Sequence, residues 1–191
     1  LVILVFAALV GTWALSRSRD MQLFGKLVAR VDTDQKVVAL TFDDGPTPAY
    51  TSGVLQQLRD AGVHATFFLT GAEVEQNPEE ARAILADGHE LANHTYSHAD
   101  MTLAGLDRAR REVEATDAAL RAVGVEGDIL FRPPYGKKLI GLPLYLSQND
   151  RTTIMWDVEP ESYPEIAGDP DLIVRHVLDN TRPGSIIILH V

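Results

Sequence analysis

"ALTFDDGPTP", residues 39–48, carries an apolar run into two adjacent carboxylates. Val37, Val38, Ala39 and Leu40 read as a buried strand. The strand ends at Asp43 and Asp44, and Gly45–Pro46 then turns the chain sharply away. Neighbouring carboxylates repel, and burying them uncompensated costs several kcal/mol. A folded chain keeps such a pair only where something positive offsets it.

Around this stretch, short apolar runs alternate with helical patterns. "LVARVDTDQKVVAL" reads as strand, turn and strand, with turn residues at 32–35. Helices are predicted over 50–61, over "NPEEARAILADG" with its leading Pro and trailing Gly, over the amphipathic stretch closed by Gly124, and over 169–180. Strands are predicted at "ATFFL" (65–69), "DILF" (128–131), "TTIMW" (152–156) and "SIIILH" (185–190), with "HELANH" short and extended. Such alternation implies an α/β fold with parallel pairing, either an open doubly wound sheet or a barrel. Both gather reactive groups at the carboxyl ends of strands. The residues there are Asp43 and Asp44, His94, Arg132, Asp157 and His190. A random surface would not segregate charge in this way.

"HTYSH" spaces His94 and His98 four apart, so that on a helical turn both imidazoles leave one face, as metal ligands do. Alone, that spacing is more often a solvated helix face. With a strand-end aspartate it becomes an Asp-His-His set with open positions, suited to zinc or another first-row divalent ion. The ion would offset the paired carboxylates, one ligating and the other left as a base. Metal, free carboxylate and a distant histidine are the equipment of hydrolysis.

In order and rough spacing, "TFDDG", "HTYSH", "RPPYG", "WDVEPESY" and "IILH" resemble the motifs of the NodB-homology polysaccharide deacetylases, over about Val37 to His190. The resemblance implies a distorted, incomplete (β/α) barrel and removal of N-acetyl groups from a cell-surface polysaccharide, peptidoglycan or a chitin-like polymer of N-acetylglucosamine, with release of acetate. It implies Asp43 as general base, Asp44, His94 and His98 as ligands of a divalent metal (zinc foremost, then cobalt or manganese), and Arg132 orienting Asp43. It further implies Tyr135 as a backbone N–H donor to the oxyanion, Pro133 beside it at the substrate, and His190 as general acid. Trp156 either lines the sugar pocket or packs in the core. The fourth motif departs: Ser162 and Tyr163 stand where the family carries Asp-Trp. Of the carboxylates left to tune His190, strand-end Asp157 is expected in preference to Glu159. The family also normally continues beyond His190 into a closing helix. An O-acetyl esterase of xylan type and a weakly catalytic glycan-binding module are the alternative readings.

The bulk properties agree with one catalytic domain, 37–191, behind a hydrophobic segment, 1–20, and a linker with the first hairpin strand, 21–36. Net charge is −10 without a long basic run, which disfavours nucleic acid as a partner, and the absence of cysteine removes disulfides and thiolate metal sites. "LVILVFAALVGTWAL" is uncharged and precedes "SRSRD". It is read as a membrane anchor completed by residues upstream, or otherwise as a signal-peptide core, so the protein is expected to be exported, in the envelope or outside the cell. His64, His89 and His176 are read as surface or structural. Lys137 and Lys138 either contact an anionic glycan or are simply solvated at a helix start.

Overall fold

The computed structural model describes residues 2–191. In chain order the elements are α1 (Val2–Ser16), β1 (Leu27–Val28), β2 (Ala39–Asp43), α2 (Thr51–Ala61), β3 (Thr66–Leu69), α3 (Gly71–Gln76), α4 (Pro78–Ala86) and β4 (Glu90–Asn93). There follow α5 (Leu106–Ala122), a tight turn at Pro134–Gly136, α6 (Gly141–Gln148), β5 (Thr153–Ile154), α7 (Pro170–Asn180) and β6 (Ile186–His190). The main sheet is all parallel in the order β4-β3-β2-β6, and β1 pairs β5 in a second, two-stranded parallel sheet. Single bridges span the gaps: Asn93 to Phe131, Phe131 to Thr153, and Val158 to Ile187. This is the distorted, incomplete barrel expected.

Local chemistry sets the helix ends. Thr70 caps α3 by accepting the Glu73 N–H, while its hydroxyl donates to the Glu73 carboxylate at 2.7 Å. Pro78 opens α4, and Asp169 caps α7 through the N–H groups of Asp171 and Leu172. The amphipathic faces close over the sheet. Leu55 and Leu58 of α2, Ile84 of α4 and Leu120 of α5 pack with Phe42, Phe67, Leu69 and Leu91 in one core cluster.

Three expectations change. The predicted hairpin over 27–40 does not form. Leu27–Val28 instead lies parallel to β5, with Thr153 N–H donating to Lys26 O at 2.9 Å and Met155 N–H to Val28 O at 2.7 Å. Both edges of β2 are already taken, by β3 and β6, so no edge remains for a hairpin partner. The 128–131 segment forms a single bridge to β4, at Phe131, with Asn93 N–H donating to Leu130 O at 2.9 Å, because Pro133 and Pro134 cannot continue a ladder. Two helices, α3 and α6, were not read from the sequence; both are short, and α6 is apolar around most of its circumference. Helix α1 has only Ser16 buried, and no helix among the described residues is long and apolar enough to cross a membrane.

Candidate active site

Parallel register sets Asp43 beside Phe68 on one side and His190 on the other. Asp43 is 2% exposed, and its charge is met by Arg132, which is fully buried. Nη1 of Arg132 donates to Asp43 Oδ1 at 2.5 Å and to Thr41 Oγ1 at 2.9 Å. Nη2 donates to Met155 O at 3.2 Å, Nε to Ile154 O at 3.4 Å, and Cζ lies 4.0 Å from the Phe68 ring centroid. Burial pulls the Arg132 pKa down and the Asp43 charge opposes it. A buried cation held by four acceptors is therefore what keeps one strand-end carboxylate in place.

Asp44 solves its half of the problem by backbone geometry. Its φ of 71° is left-handed, so it turns away from Asp43 into a partly open recess. There His98 Nε2 lies 3.3 Å and His94 Nε2 3.8 Å from Asp44 Oδ1. The His94 Nδ1–H donates to the Arg132 carbonyl at 2.8 Å, which fixes the tautomer and leaves Nε2 as a lone-pair donor. Burial holds the His94 pKa below its ordinary value, against the pull of Asp43 and Asp44, and so favours the neutral form a ligand needs. The three ligand atoms lie within 4.8 Å of one another. Tetrahedral bonds of about 2.0–2.1 Å would set neighbouring ligands about 3.3 Å apart, so the donor set fits a first-row divalent ion.

The histidine pair reaches this geometry without the helical turn expected of it. Thr95 (φ 67°) and His98 (φ 52°) are left-handed, and the loop amides are satisfied by side chains instead. Glu112 of α5 accepts the N–H groups of Tyr96 and Ser97, and Asn93 Oδ1 accepts the Thr95 N–H. Tyr135, also left-handed at φ 57°, sets its ring 4.7 Å from His98. Its backbone N–H has no acceptor among the described residues, as an oxyanion donor requires. Such φ values cluster at functional sites, where the surrounding fold must hold them. Pro133, expected at the substrate, is buried and acts as a spacer that delivers Tyr135. Trp156 is 5% exposed and packs in the core with Met155 and Ile188, and it also borders a small hollow beside Tyr135.

The tuning carboxylate is not where it was expected. Asp157 accepts the Ile186 N–H at 2.9 Å and the Ser185 hydroxyl at 3.0 Å, at the start of β6. His190 is four residues on, about 13 Å along a strand, so Asp157 cannot reach it. Glu159 is ion-paired with Arg19. The residue at His190 is Glu161, whose Oε2 accepts the Nδ1–H at 2.6 Å. That hydrogen bond raises the His190 pKa, burial opposes it, and the fields of Asp43, Glu161 and Asp44 add to the rise. Nothing periodic in "EPESY" marks Glu161. The one available signal was a carboxylate immediately before the substituted Ser162.

Comparison with known proteins gives a consistent picture. The polysaccharide deacetylase family profile matches residues 30–152. A peptidoglycan-N-acetylmuramic acid deacetylase of Bacillus subtilis is 36% identical over 161 residues, covering 84% of this chain and 33% of that protein. A chitooligosaccharide deacetylase of Sinorhizobium fredii is 38% identical over 168 residues, covering 86% of this chain and 76% of that one. The crystal structure of a CE4 family pseudoenzyme from Bacillus anthracis superposes with a TM-score of 0.79 at 27% identity, over 88% of this chain and 59% of that one. The chain thus spans only a third of the Bacillus subtilis relative.

Proposed function

The chain belongs to the polysaccharide deacetylase family, and on that footing we propose that it is a metal-dependent hydrolase that removes N-acetyl groups from a cell-surface polysaccharide containing N-acetylglucosamine, peptidoglycan foremost. The observation that carries this reading is the division of labour between adjacent aspartates. Asp43 gives one oxygen to Arg132 and meets only His94 of the ligand histidines, at 3.6 Å, while Asp44 faces both histidines. A glycan-binding module has no use for a clamped base opposite an imidazole acid.

Asp44, His94 and His98 would hold the ion, for which zinc is the best match and cobalt or manganese the alternatives. When bound, it supplies Lewis acidity toward the acetyl carbonyl and the attacking water. Asp43 takes the proton of that water as its oxygen adds to the acetyl carbon. The Tyr135 N–H donates to the developing oxyanion. His190, whose protonated form the Glu161 hydrogen bond favours, gives its proton to the sugar nitrogen as the C–N bond breaks, leaving amine and acetate. We place the enzyme in the cell envelope, with α1 as its attachment to the membrane; vesicle partition of chains with and without residues 1–15 tests this.

Acetate release from N-acetylglucosamine oligomers, peptidoglycan and acetylated xylan, measured after chelation and after adding back zinc, cobalt or manganese, tests the activity. Metal-dependent release from the N-acetylated glycans is expected. Preference for xylan would make the protein an O-acetyl esterase, and no release from any of the three would refute the enzymatic reading.

A further inference from the structure

Beside the catalytic turn lies a hollow of about 200 Å³ lined by Arg17, Arg19, Tyr135, Gly136, Trp156 and Glu159, among others. Two of these, Arg17 and Arg19, follow α1 at the end of the 1–20 segment that the sequence reading assigns to an anchor or signal peptide. The segment is not loose. Lys138, 1% exposed, donates its backbone N–H to Ser16 O at 2.9 Å and its ammonium to Ser18 O at 2.6 Å and Gly136 O at 3.4 Å. One buried lysine thereby ties the chain on either side of Arg17 to the turn that presents Tyr135.

The two arginines differ. Arg19 is ion-paired to Glu159, and its Cζ stacks 5.1 Å from the Trp156 ring centroid, so it is a wall of the hollow with its charge already met. Arg17 stacks on Trp13 at 4.9 Å and has no carboxylate partner among the described residues. The charged lining, Arg17 and Arg19 against Glu159, sums to one positive charge in a chain whose net charge is −10. Tyr135 borders both the hollow and the metal-ligand set, through its contact with His98. The hollow and the metal-ligand set therefore share Tyr135 as a common wall.

Building on the deacetylase reading, we infer that this hollow is a subsite for a carboxylate borne by the glycan, with Arg17 as its cation. The carboxylate sits either on an acidic ether substituent of a neighbouring sugar or on a peptide attached to it. Arg17 binds a carboxylate with paired N–H donors, a geometry that a neutral carboxamide cannot match.

The test uses the full chain in nonionic detergent and three matched N-acetylated oligomers, carrying a sugar-borne carboxylate, the same group as its carboxamide, or a peptide-borne carboxylate. Both kcat/KM for acetate release and equilibrium binding by calorimetry are measured. About a tenfold preference for a carboxylate over the carboxamide is expected, weakening with salt. Arg17→Gln should bring that ratio close to one, and Arg17→Lys should restore part of it. Whichever carboxylate shows the preference identifies the source. A ratio near one in the unaltered chain, or a ratio untouched by Arg17→Gln, overturns the subsite. Absence of turnover on every oligomer would count against the deacetylase reading instead, and the binding ratio would still decide the subsite.

Discussion

Replacing Arg132 by Met should be the most damaging single change at the site, and unequal to its counterpart at Asp43. Arg132 is fully buried and Asp43 is 2% exposed. Arg132→Met leaves the Asp43 carboxylate with His94 Nε2, 3.6 Å away, as its nearest positive or polar partner. An uncompensated buried charge of this kind costs about 3–5 kcal/mol. Asp43→Asn leaves the guanidinium still bonded to Thr41 Oγ1, Met155 O and Ile154 O, so its cost is that of one charge-assisted hydrogen bond, about 1.5–3 kcal/mol. The double variant should cost little more than the larger single change, a coupling of at least about 1.5 kcal/mol. Urea unfolding of the chelated protein, followed by circular dichroism, reads these values. With a slope of about 2 kcal/mol per molar, the Arg132→Met midpoint falls by roughly 2 M. Additivity within about 0.5 kcal/mol, or a larger loss in Asp43→Asn than in Arg132→Met, would show that the pair does not share a buried charge as described.

Other outcomes follow from the same geometry. Asp44→Asn should weaken metal binding tenfold or more, whereas Asp43→Asn should retain the ion and lose about 10² to 10⁴ in turnover; equal metal loss in both would mean that the two roles are misassigned. Because the Glu161 hydrogen bond raises the His190 pKa, Glu161→Gln should move the alkaline limb of the rate profile to lower pH, so that more turnover is lost at pH 8 than at pH 6. The same pair contributes stability present below the unfolded histidine pKa of about 6.5 and lost as pH rises through the raised folded value. Asp157→Asn should leave that limb in place while lowering stability, and a moved limb would restore Asp157 to the acid. Deleting residues 1–15 should preserve the fold, whereas a chain beginning at Gln35 should unfold at lower urea because β5 loses its β1 partner; equal midpoints would show β1 to be dispensable.

The catalytic end of the sheet was legible because parallel strands must display their terminal residues on one side. Asp43, Asp44, His94, Arg132 and His190 followed from that rule alone. Asp157 obeyed the same rule and misled, because the strand it should have ended stops at Ile154 and the chain then turns to the opposite end of β6. Glu161 lies in an irregular loop, where no period links sequence to direction. The left-handed turns at Asp44, Thr95, His98 and Tyr135 were equally hidden, since non-glycine residues do not advertise positive φ. Lys138 read as a glycan contact or a solvated helix start because charge usually marks surface. Its burial is explained by the carbonyl groups of Ser16, Ser18 and Gly136, which no local pattern reveals.

That lysine also has a mechanical meaning. By gripping Ser16 and Ser18 it removes the slack from the chain between α1 and the catalytic turn, so the helix is an outrigger fixed to the hull and not a rope. Tilting or translating α1 must carry Tyr135 with it, and a load applied at the N-terminus arrives at the active site within a few bonds. If α1 attaches the enzyme to a membrane as proposed, its seating there sets the orientation in which the Tyr135 turn is presented. A chimera that exchanges α1 for another module would inherit that aim only if its junction lies before Ser16.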